Sequence, residues 1–410
     1  MHMFPQRTDR NLRRIVLNSL TRLDSWLQRN GWAGYDPYDI LDTKFYLPLQ
    51  DICRKSLLAV PLTKPLFLVK DLFPLSARKI FNVKKKINAK AMGLFARAYL
   101  KLGRVNKSYL GKALSCLTIL MENRSSGYPR YCWGYPFNWH SRILIPKGTP
   151  SGVVTSIVGH SFLDSYEIFG NEMFLKIAES CCNFFLNDLN VDKIDKNKIC
   201  FSYTPIDMFH VHNANLFCAS LLLRTASFNN NRRFTNYAEK AIHFTMFHQR
   251  KDGSFYYFAP PDKVYGLLGP TIDNYHTGFI LECLDVCRRY MDSFDYEEGI
   301  RRGLDYYMEN LFLVDGTPRM TNRSTYPIDV HSGAQAISTF AHLWDFEPRC
   351  RNMAKKVSMW MISNMQDRDG HFYYRLYKKG IISYVDKTPY IRWGQAWMLH
   401  ALSSLLLKLR

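Results

Sequence analysis

Three groups of aspartate and histidine recur along the sequence, each just before an apolar segment, and their types suit acid–base chemistry. They are Asp207 with His210 and His212, Asp273 with His276, and Asp329 with His331. The last histidine of each group lies two residues before a small residue, and Arg392 has the same place in a later segment. Imidazoles and a guanidinium on one surface favour a substrate that carries carboxylate or phosphate.

Two kinds of reaction fit these side chains. Hydrolysis of a glycosidic bond needs two carboxyl groups, and Asp273 and Asp329 are the candidate pair. Elimination or C5-epimerisation of a uronic acid instead needs a base, an opposing acid, and a group that stabilises an enolate-like state. The side chains available for those roles are His276, Tyr275, His212, Asn213 and Arg392. The residue types alone leave the reaction open.

The same aspartates and histidines also suit a structural role. Aspartate just before a helix commonly caps its N-terminus, and a histidine there can bond to a neighbouring loop. Capping is served equally by Ser, Thr or Asn and needs no imidazole, so the recurrence of histidine favours a shared functional surface. We therefore predict catalytic roles for Asp273, His276, Asp329, His331 and His212.

Two aromatic segments offer stacking surfaces for sugar rings. "YCWGYPFNWHSR" contains Trp133, Trp139 and His140. "GWAGYDPYD" contains Tyr35, Asp36 and Tyr38. The glycines and prolines between the aromatics suit tight turns, so a buried hairpin and a structural connector are the alternatives. We predict substrate contacts for these six side chains and for Trp393.

The elements that carry these residues form a repeat. Six apolar segments of helical period each contain a small residue, and successive small residues are 55 to 64 positions apart: Gly93, Gly152, Ala214, Gly278, Gly333 and Gly394. More charged amphipathic segments alternate with them, at 8–29, 105–122, 171–187, 234–248, 294–310 and 350–364. We predict an all-α fold, a single-domain (α/α)6 toroid over residues 1–410, in which the apolar segments form an inner ring of helices and the amphipathic segments an outer ring. All inner helices then begin at the same end of the ring, the funnel end, where we predict short β-hairpins and the substrate site.

Residues 31–86 interrupt the repeat as an insertion. The part from Arg54 to Lys86 mixes Leu, Phe and Val with nine Lys or Arg residues. Such a basic amphipathic composition can mark a surface that contacts a membrane or an assembly complex. A capping insertion with snorkelling lysines is the structural alternative.

Charge and cysteine usage bound the partners and the compartment. The chain has 55 Lys and Arg against 35 Asp and Glu, a net charge of +20, which attracts anions. Phosphate loops, zinc fingers and RNA-recognition aromatics are not evident, so an acidic oligo- or polysaccharide is favoured over nucleic acid, and we expect no cofactor and no metal. Ten scattered cysteines and the lack of a signal-like apolar start indicate reduced thiols and a cytoplasmic location, peripheral to the inner face of the membrane if the insertion binds there.

The ordered motifs "GWAGYDPYD", "YCWGYPFNWHSR", "PKGTPSGVVTS", "HVHNANL", "NYHTGFILE", "YPIDVHS" and "RWGQAWML" resemble the six-hairpin glycosidase-like superfamily. Within it the chain looks like a branch found with polysaccharide-biosynthesis genes and related to VpsJ-like exopolysaccharide proteins of Vibrio. The resemblance implies an (α/α)6 fold and a role in making or trimming surface glycans. It does not fix the reaction.

Together these patterns predict a carbohydrate-active protein of surface-polysaccharide biosynthesis or modification. A lyase, a uronyl C5-epimerase and a glycoside hydrolase acting on an acidic glycan are the candidate activities. The alternative is a non-catalytic glycan-binding or scaffold subunit of a membrane-associated assembly complex.

Overall fold

The computed structural model describes residues 4–55, 59–259, 270–291, 293 and 295–409. The helices in these ranges are, in chain order, α1 (Phe4–Asn30), α2 (Tyr46–Lys55), α3 (Ala59–Leu72), α4 (Pro74–Ile80), α5 (Ala89–Gly103), α6 (Tyr109–Glu122), α7 (Gly152–Phe169), α8 (Glu172–Asn187), α9 (His212–Asn229), α10 (Arg232–Phe247), α11 (Asn274–Arg289), α12 (Glu297–Asn310), α13 (Val330–His342), α14 (Arg349–Met365) and α15 (Trp397–Lys408). A 3-10 turn spans Asp39–Asp42, and a π-helical segment, Ile391–Ala396, leads into α15.

Six helices form a closed inner ring. Helices α5, α7, α9, α11, α13 and α15 each pack against the next, and α15 returns to pack against α5. The outer helices α6, α8, α10, α12 and α14 pack on the inner helices that precede them, and α1 covers α15. The predicted all-α (α/α)6 toroid is confirmed.

Short strands lie in the connections that precede inner helices. They are β1 (Trp139–His140) with β2 (Leu144–Ile145), β3 (Val191–Lys193) with β4 (Ile199–Phe201), and a sheet of β5 (Ile328–Asp329), β6 (Arg375–Lys379) and β7 (Ile382–Asp386). All of these pairings are antiparallel. The strands hold the loops over the end of the ring at which the inner helices begin.

Side-chain caps fix where four inner helices start. Asn88, Ser151, Asp273 and Asp329 each accept a hydrogen bond from a backbone N–H in the first turn of the helix that follows. The small residues predicted from the repeat allow close packing there. A Cβ atom on Gly333 would stand 2.3 Å from Sδ of Met361 in the adjacent outer helix, so a larger residue does not fit.

The insertion folds as helices α2, α3 and α4 and contacts segments that precede inner helices: Arg78 lies 4.8 Å from the Tyr390 ring centroid, and Asp51 faces His140 at 3.3 Å. It has a small core of its own around Ile40, Tyr46 and Ala77. Beyond that core many large apolar side chains are exposed, among them Leu62, Leu68, Val69, Phe73, Leu75 and Ile80. No helix in the described ranges has the length and apolar character needed to cross a membrane.

The ten cysteines are all free thiols, and every one except Cys53 is buried. Burial raises the pKa of the Cys181 and Cys218 thiols well above the usual value. Thiols in this state are packing residues rather than nucleophiles.

Candidate active site

A cavity of about 120 Å³ lies at the end of the ring where the inner helices begin. Every inner-ring segment contributes to its wall: Lys90, Val153, Asn213, Tyr275, His276, Phe279, His331, Arg392 and Trp393. Loop side chains complete it: Tyr38, Tyr135, Phe137, Trp139, Tyr203 and Tyr257. The cavity therefore combines an aromatic wall with two imidazoles, a guanidinium and a lysine amine, groups that can bind a sugar ring and an anionic substituent.

His276 is held by the aspartate that caps its helix. Asp273 accepts the backbone N–H of His276 through Oδ1 at 2.9 Å and the ring Nδ1–H through Oδ2 at 2.7 Å. Because the carboxylate accepts the hydrogen bond from Nδ1–H, the neutral tautomer of His276 has its lone pair on Nε2, where it can act as a base. Asp273 does not line the cavity itself, so it acts through His276.

His331 faces the cavity, and among the described residues neither of its ring nitrogens has a hydrogen-bond partner, although only 2% of the residue is exposed. Its ring stacks on Tyr275 at a centroid distance of 4.9 Å and an interplanar angle of 11°, and it meets Trp393 edge-on at 4.6 Å. Burial, reinforced by the charge of Lys90, lowers the pKa of His331 well below its usual value. The imidazole is therefore neutral and has polar atoms available to a ligand.

Asp329 is fully buried behind this wall. It accepts hydrogen bonds from Nε of Arg375 at 2.6 Å, from Nε1 of Trp393 at 2.8 Å, and from the backbone N–H of His331 at 2.8 Å. Through these hydrogen bonds the Asp329 carboxylate fixes the positions of two cavity residues, His331 and Trp393. The structure therefore places Asp329, like Asp273, behind the cavity wall.

Arg392 is the buried cation on the side of the cavity where the chain's first and last repeats meet. Asp36 binds it through two ion-pair contacts, Nε to Oδ2 at 2.5 Å and Nη2 to Oδ1 at 2.7 Å. Tyr135 and Trp393 lie on either side of the guanidinium, with ring centroids 4.9 and 5.0 Å from Cζ. The "GWAGYDPYD" segment thus supplies the counter-ion for Arg392 and places Tyr38 on the cavity wall.

Lys90 is a cavity residue that the sequence did not single out. It is 3% exposed, and its Nζ lies 5.3 Å from the ring centroids of both Phe279 and Trp397. It forms no ion pair with any carboxylate in the part of the chain that the structure describes. Burial, together with the charge of Arg392, lowers the pKa of Lys90. A lone lysine in the apolar segment "INAKAMGL" is the signal that could have identified it.

Tyrosine hydroxyls are the remaining proton donors of the wall. Burial raises the pKa of Tyr257 and Tyr275, and the Asp273 carboxylate adds to the shift for both. These hydroxyls stay protonated at neutral pH and can donate a hydrogen bond or a proton to a substrate oxygen. Tyr203 and Phe279 also line the cavity, and the sequence analysis did not predict either as a site residue.

Several predicted site residues lie outside the cavity. His212 is buried among Phe244, His248 and Phe255. Trp133 is buried and donates through Nε1 to the carbonyl of Leu120, while His140 faces Asp51 of the insertion at 3.3 Å. Tyr35 packs on the buried Arg78 guanidinium, 5.5 Å from Cζ.

The first of the three aspartates also differs from the other two. Asp207 accepts hydrogen bonds from the backbone N–H groups of Tyr203, Thr204 and Phe209, so it fixes the loop that carries Tyr203 and caps no helix. His210 pairs with Asp192 at 2.8 Å. Of the three groups, the second and third are the ones whose histidines reach the cavity.

One group in the described ranges has the spacing of a metal site: Asp367, Asp369 and His371. Both ring nitrogens of His371 already have partners, Oδ1 of Asp369 at 2.6 Å and the carbonyl of Lys387 at 3.0 Å. None of the three residues lines the cavity. Hydrogen bonds within the turn from Asp367 to His371 explain why these three side chains lie close together.

No protein-family model matches the chain, and no curated protein matches it in sequence. Solved structures match its fold. A cellobiose 2-epimerase from Spirochaeta thermophila has a TM-score of 0.57 at 14% identity, over 79% of this chain and 87% of that one. An unsaturated glucuronyl hydrolase from Bacillus sp. GL1 has 0.56 at 12%, over 77% and 86%, and a polysaccharide lyase has 0.57 at 10%, over 78% and 90%.

These three proteins share a toroidal fold and are named for three different reactions, so the likeness establishes the fold of this chain and leaves its chemistry to its own residues.

Proposed function

We propose that the protein is a carbohydrate-active enzyme that removes a proton from a carbon next to a carboxylate, as a uronyl epimerase or a lyase acting on an acidic glycan. The observation that carries the proposal is that one aromatic cavity contains both His276, oriented by Asp273, and His331. The His331 imidazole is neutral and has no hydrogen-bond partner among the described residues. Proteins of the same fold that are named as epimerase and lyase support it.

In the proposed reaction Nε2 of His276 takes the proton, and the electron pair of the broken C–H bond moves into the substrate carboxylate. Lys90 and the neutral N–H of His331 stabilise the resulting enediolate. A proton from the Tyr275 hydroxyl, delivered to the opposite face of that carbon, gives the epimer, and the His276 imidazolium then returns its proton to the tyrosinate. Loss of the oxygen substituent one carbon further, with a proton from Tyr275, gives an unsaturated sugar.

The cavity wall argues against hydrolysis by a carboxyl pair. Within the part of the chain that the structure describes, no aspartate or glutamate lines the cavity. Asp273 and Asp329, the candidate pair, are each engaged with cavity residues by hydrogen bonds of 2.7 to 2.8 Å. We propose that both are positioning residues, and that hydrolysis is the less supported of the three activities.

We propose an acidic substrate because the cavity has a buried lysine amine without a carboxylate partner among the described residues, and a bound carboxylate favours the charged form of that amine. Arg392 is neutralised by Asp36, whereas Lys90 is not paired with any described carboxylate. Replacing Lys90 by Met should raise KM for a uronate-containing oligosaccharide at least tenfold and leave KM for a neutral oligosaccharide nearly unchanged. A Lys107→Met variant, altered at an exposed lysine, is the matched control. Equal effects on both substrates would contradict an acidic substrate.

The reaction itself is tested with anionic oligosaccharides in deuterated water. The expected result is deuterium at C5 or new unsaturation, detected by NMR and mass spectrometry, and its loss in a His276→Asn variant. New reducing ends without exchange would establish hydrolysis instead. Binding of a glycan with no exchange, elimination or cleavage would support the alternative, a non-catalytic glycan-binding or scaffold subunit.

We propose a place in surface-polysaccharide biosynthesis within the VpsJ-like branch. The support is the ordered set of motifs that the chain shares with that branch. The structure gives three of them defined positions at the cavity: "GWAGYDPYD" through Tyr38, "NYHTGFILE" through His276, and "RWGQAWML" through Arg392.

We also propose that the insertion contacts an anionic membrane surface. Its exposed apolar side chains, such as Leu68 and Phe73, lie in a segment with exposed lysines, which is the composition of an interfacial helix. Co-sedimentation should show binding to phosphatidylglycerol vesicles, weakening with salt, and little binding to phosphatidylcholine. Phe73→Glu should reduce binding at least tenfold, and Val314→Glu, at an even more exposed apolar position outside the insertion, should not. Binding that is insensitive to Phe73→Glu would refute the assignment.

A further inference from the structure

A second cavity, of about 280 Å³, lies at the opposite end of the ring, where the inner helices end. We call it the rear cavity. Its charged lining comes from the second halves of the inner helices and the residue that follows α5: Arg97, Lys101, Arg104, Asp164, Glu167, Arg224, Glu282 and Arg289. The volume is enough for about nine water molecules, so it can hold a small organic molecule.

Two aromatic rings separate the rear cavity from the candidate active site. Phe279 lines both cavities, and its ring lies 5.2 Å from that of Trp397, which lines the rear cavity. Lys90 lies on the active-site side of these rings. The rear cavity is therefore a separate compartment with its own side chains.

Most of the charges in the rear cavity already have partners. Asp164 binds Arg97 at 2.8 Å and Arg224 at 2.5 Å, and Glu167 binds Arg224 at 3.1 Å. Glu282 accepts a hydrogen bond from Gln335 at 2.8 Å. The charges of Arg97 and Arg224 are thus balanced by those of Asp164 and Glu167, without a ligand.

Lys101 is the exception. Its Nζ bonds to Oγ of Ser404 at 2.6 Å and lies 3.5 Å from Nε2 of His400, and it pairs with no carboxylate in the described ranges. Burial and the charge of Arg97 lower the pKa of Lys101 to about 7. His400, which is fully buried, lines the same cavity, and its Nδ1 has no partner.

We propose that the rear cavity binds a small hydroxylated acid through an ion pair between its carboxylate or phosphate and Lys101. Arg104, exposed at the rim, adds a second positive charge. The imidazole of His400 and the carboxyl of Glu282 offer hydrogen-bond partners for the hydroxyl groups. The site goes beyond the proposed activity, because none of its charged residues contacts the active-site cavity.

The binding is coupled to pH. The groups that face Lys101 are Arg97, Asp164, Arg224, Glu282, His342 and His400. A bound anion favours the charged ammonium, so it raises the pKa of Lys101, and binding above pH 7 takes up a proton. The affinity therefore increases as the pH falls from 8.5 to 6.5.

Isothermal titration calorimetry of the full chain at pH 8 tests the site. The probes are inorganic phosphate, glucuronate and glucose 6-phosphate, with glucose as the neutral control, each in two buffers of different ionisation enthalpy. The expected result is binding of at least one anion with uptake of up to one proton, and no binding of glucose. The anions that bind distinguish a phosphate from a carboxylate ligand.

Variants assign the binding to the rear cavity. Lys101→Met should weaken it at least tenfold, Arg104→Met two- to fivefold, and Lys107→Met not at all. Arg104 and Lys107 are exposed, so both variants should fold even if Lys101→Met does not. His276→Asn, which disables the active site, should bind the anion as the wild type does. Absence of binding by any anion, equal binding by the Lys101 and Arg104 variants and the wild type, or loss of binding in His276→Asn would overturn the proposal.

Discussion

The carboxylate of Asp36 and the guanidinium of Arg392 form a buried bidentate ion pair between residues 356 positions apart. This pair joins the connector after the first outer helix to the segment that begins the last inner helix. It fixes one wall of the candidate active site, since Tyr38 and Trp393 adjoin its two members.

Replacing Asp36 by Asn should lower the free energy of unfolding by about 3 to 5 kcal/mol, because the buried Arg392 would lose its counter-ion. Urea unfolding followed by circular dichroism measures the change. The matched control is Asp71→Asn, which removes a half-exposed partner of Lys70 and should cost less than about 1 kcal/mol. A similar loss of unfolding free energy in the two variants would show that the buried Asp36–Arg392 pair contributes no more to stability than an exposed pair.

Asp273→Asn tests the positioning of His276. Asparagine keeps the shape and the helix cap but removes the charge that holds Nδ1–H. We expect kcat for deuterium exchange to fall about 100-fold or more, with KM nearly unchanged and the free energy of unfolding within about 1 kcal/mol of wild type. The double variant with His276→Asn should be no slower than His276→Asn alone. Additive losses would mean that Asp273 acts independently of His276.

Stability should fall as the pH falls, partly through His212. Burial lowers the pKa of His212 to about 3, against 6.5 in an unfolded chain. Between these values the unfolded chain holds a proton that the folded chain does not, so stability is lost as the pH falls, by up to about 1.4 kcal/mol per pH unit. His212→Phe should reduce the slope of unfolding free energy against pH between 6 and 4 by up to that amount. An unchanged slope would show that His212 titrates normally.

Gly34→Ala tests the contact between the "GWAGYDPYD" segment and the π-helical segment. A Cβ on Gly34 would stand 2.6 Å from Cβ of Ile391, so the two segments must separate. We expect a loss of about 1 to 3 kcal/mol in thermal or urea unfolding. Gly111→Ala, in helix α6 with open space around the new methyl group, should instead gain about 0.5 to 1 kcal/mol. A neutral Gly34→Ala would indicate that the contact is loose.

The fold could be predicted from the sequence because its determinants are local. Small residues such as Gly333 occur once per repeat, and side-chain caps such as Ser151 start four of the six inner helices. The repeat alone did not predict which side chains line the cavity, because equivalent positions in the repeat differ in their place within the helix. His212 and His276 have the same distance from their small residues, yet His212 is the first residue of α9 and His276 is the third of α11, and only the latter reaches the cavity.

The roles of the aspartates could not be predicted, because their partners are remote in sequence. Asp329 is bound by Arg375 from strand β6 and by Trp393 from the π-helical segment. Asp36 is likewise matched to Arg392 only after the ring has closed. Lys90 was missed because an isolated lysine in an apolar helix usually extends to solvent, whereas here the centre of the ring surrounds it.

The pairing of Asp36 with Arg392 also sets the time at which the candidate site can first form during synthesis. At roughly 5 to 20 residues per second, a ribosome needs roughly 20 to 70 s to make the residues between them. Throughout that interval the aromatic wall lacks Trp393 and the nascent chain has no complete cavity. Prematurely terminated chains that contain both histidines of the site but end before Trp393 would therefore lack the complete cavity in which the proposed activity takes place.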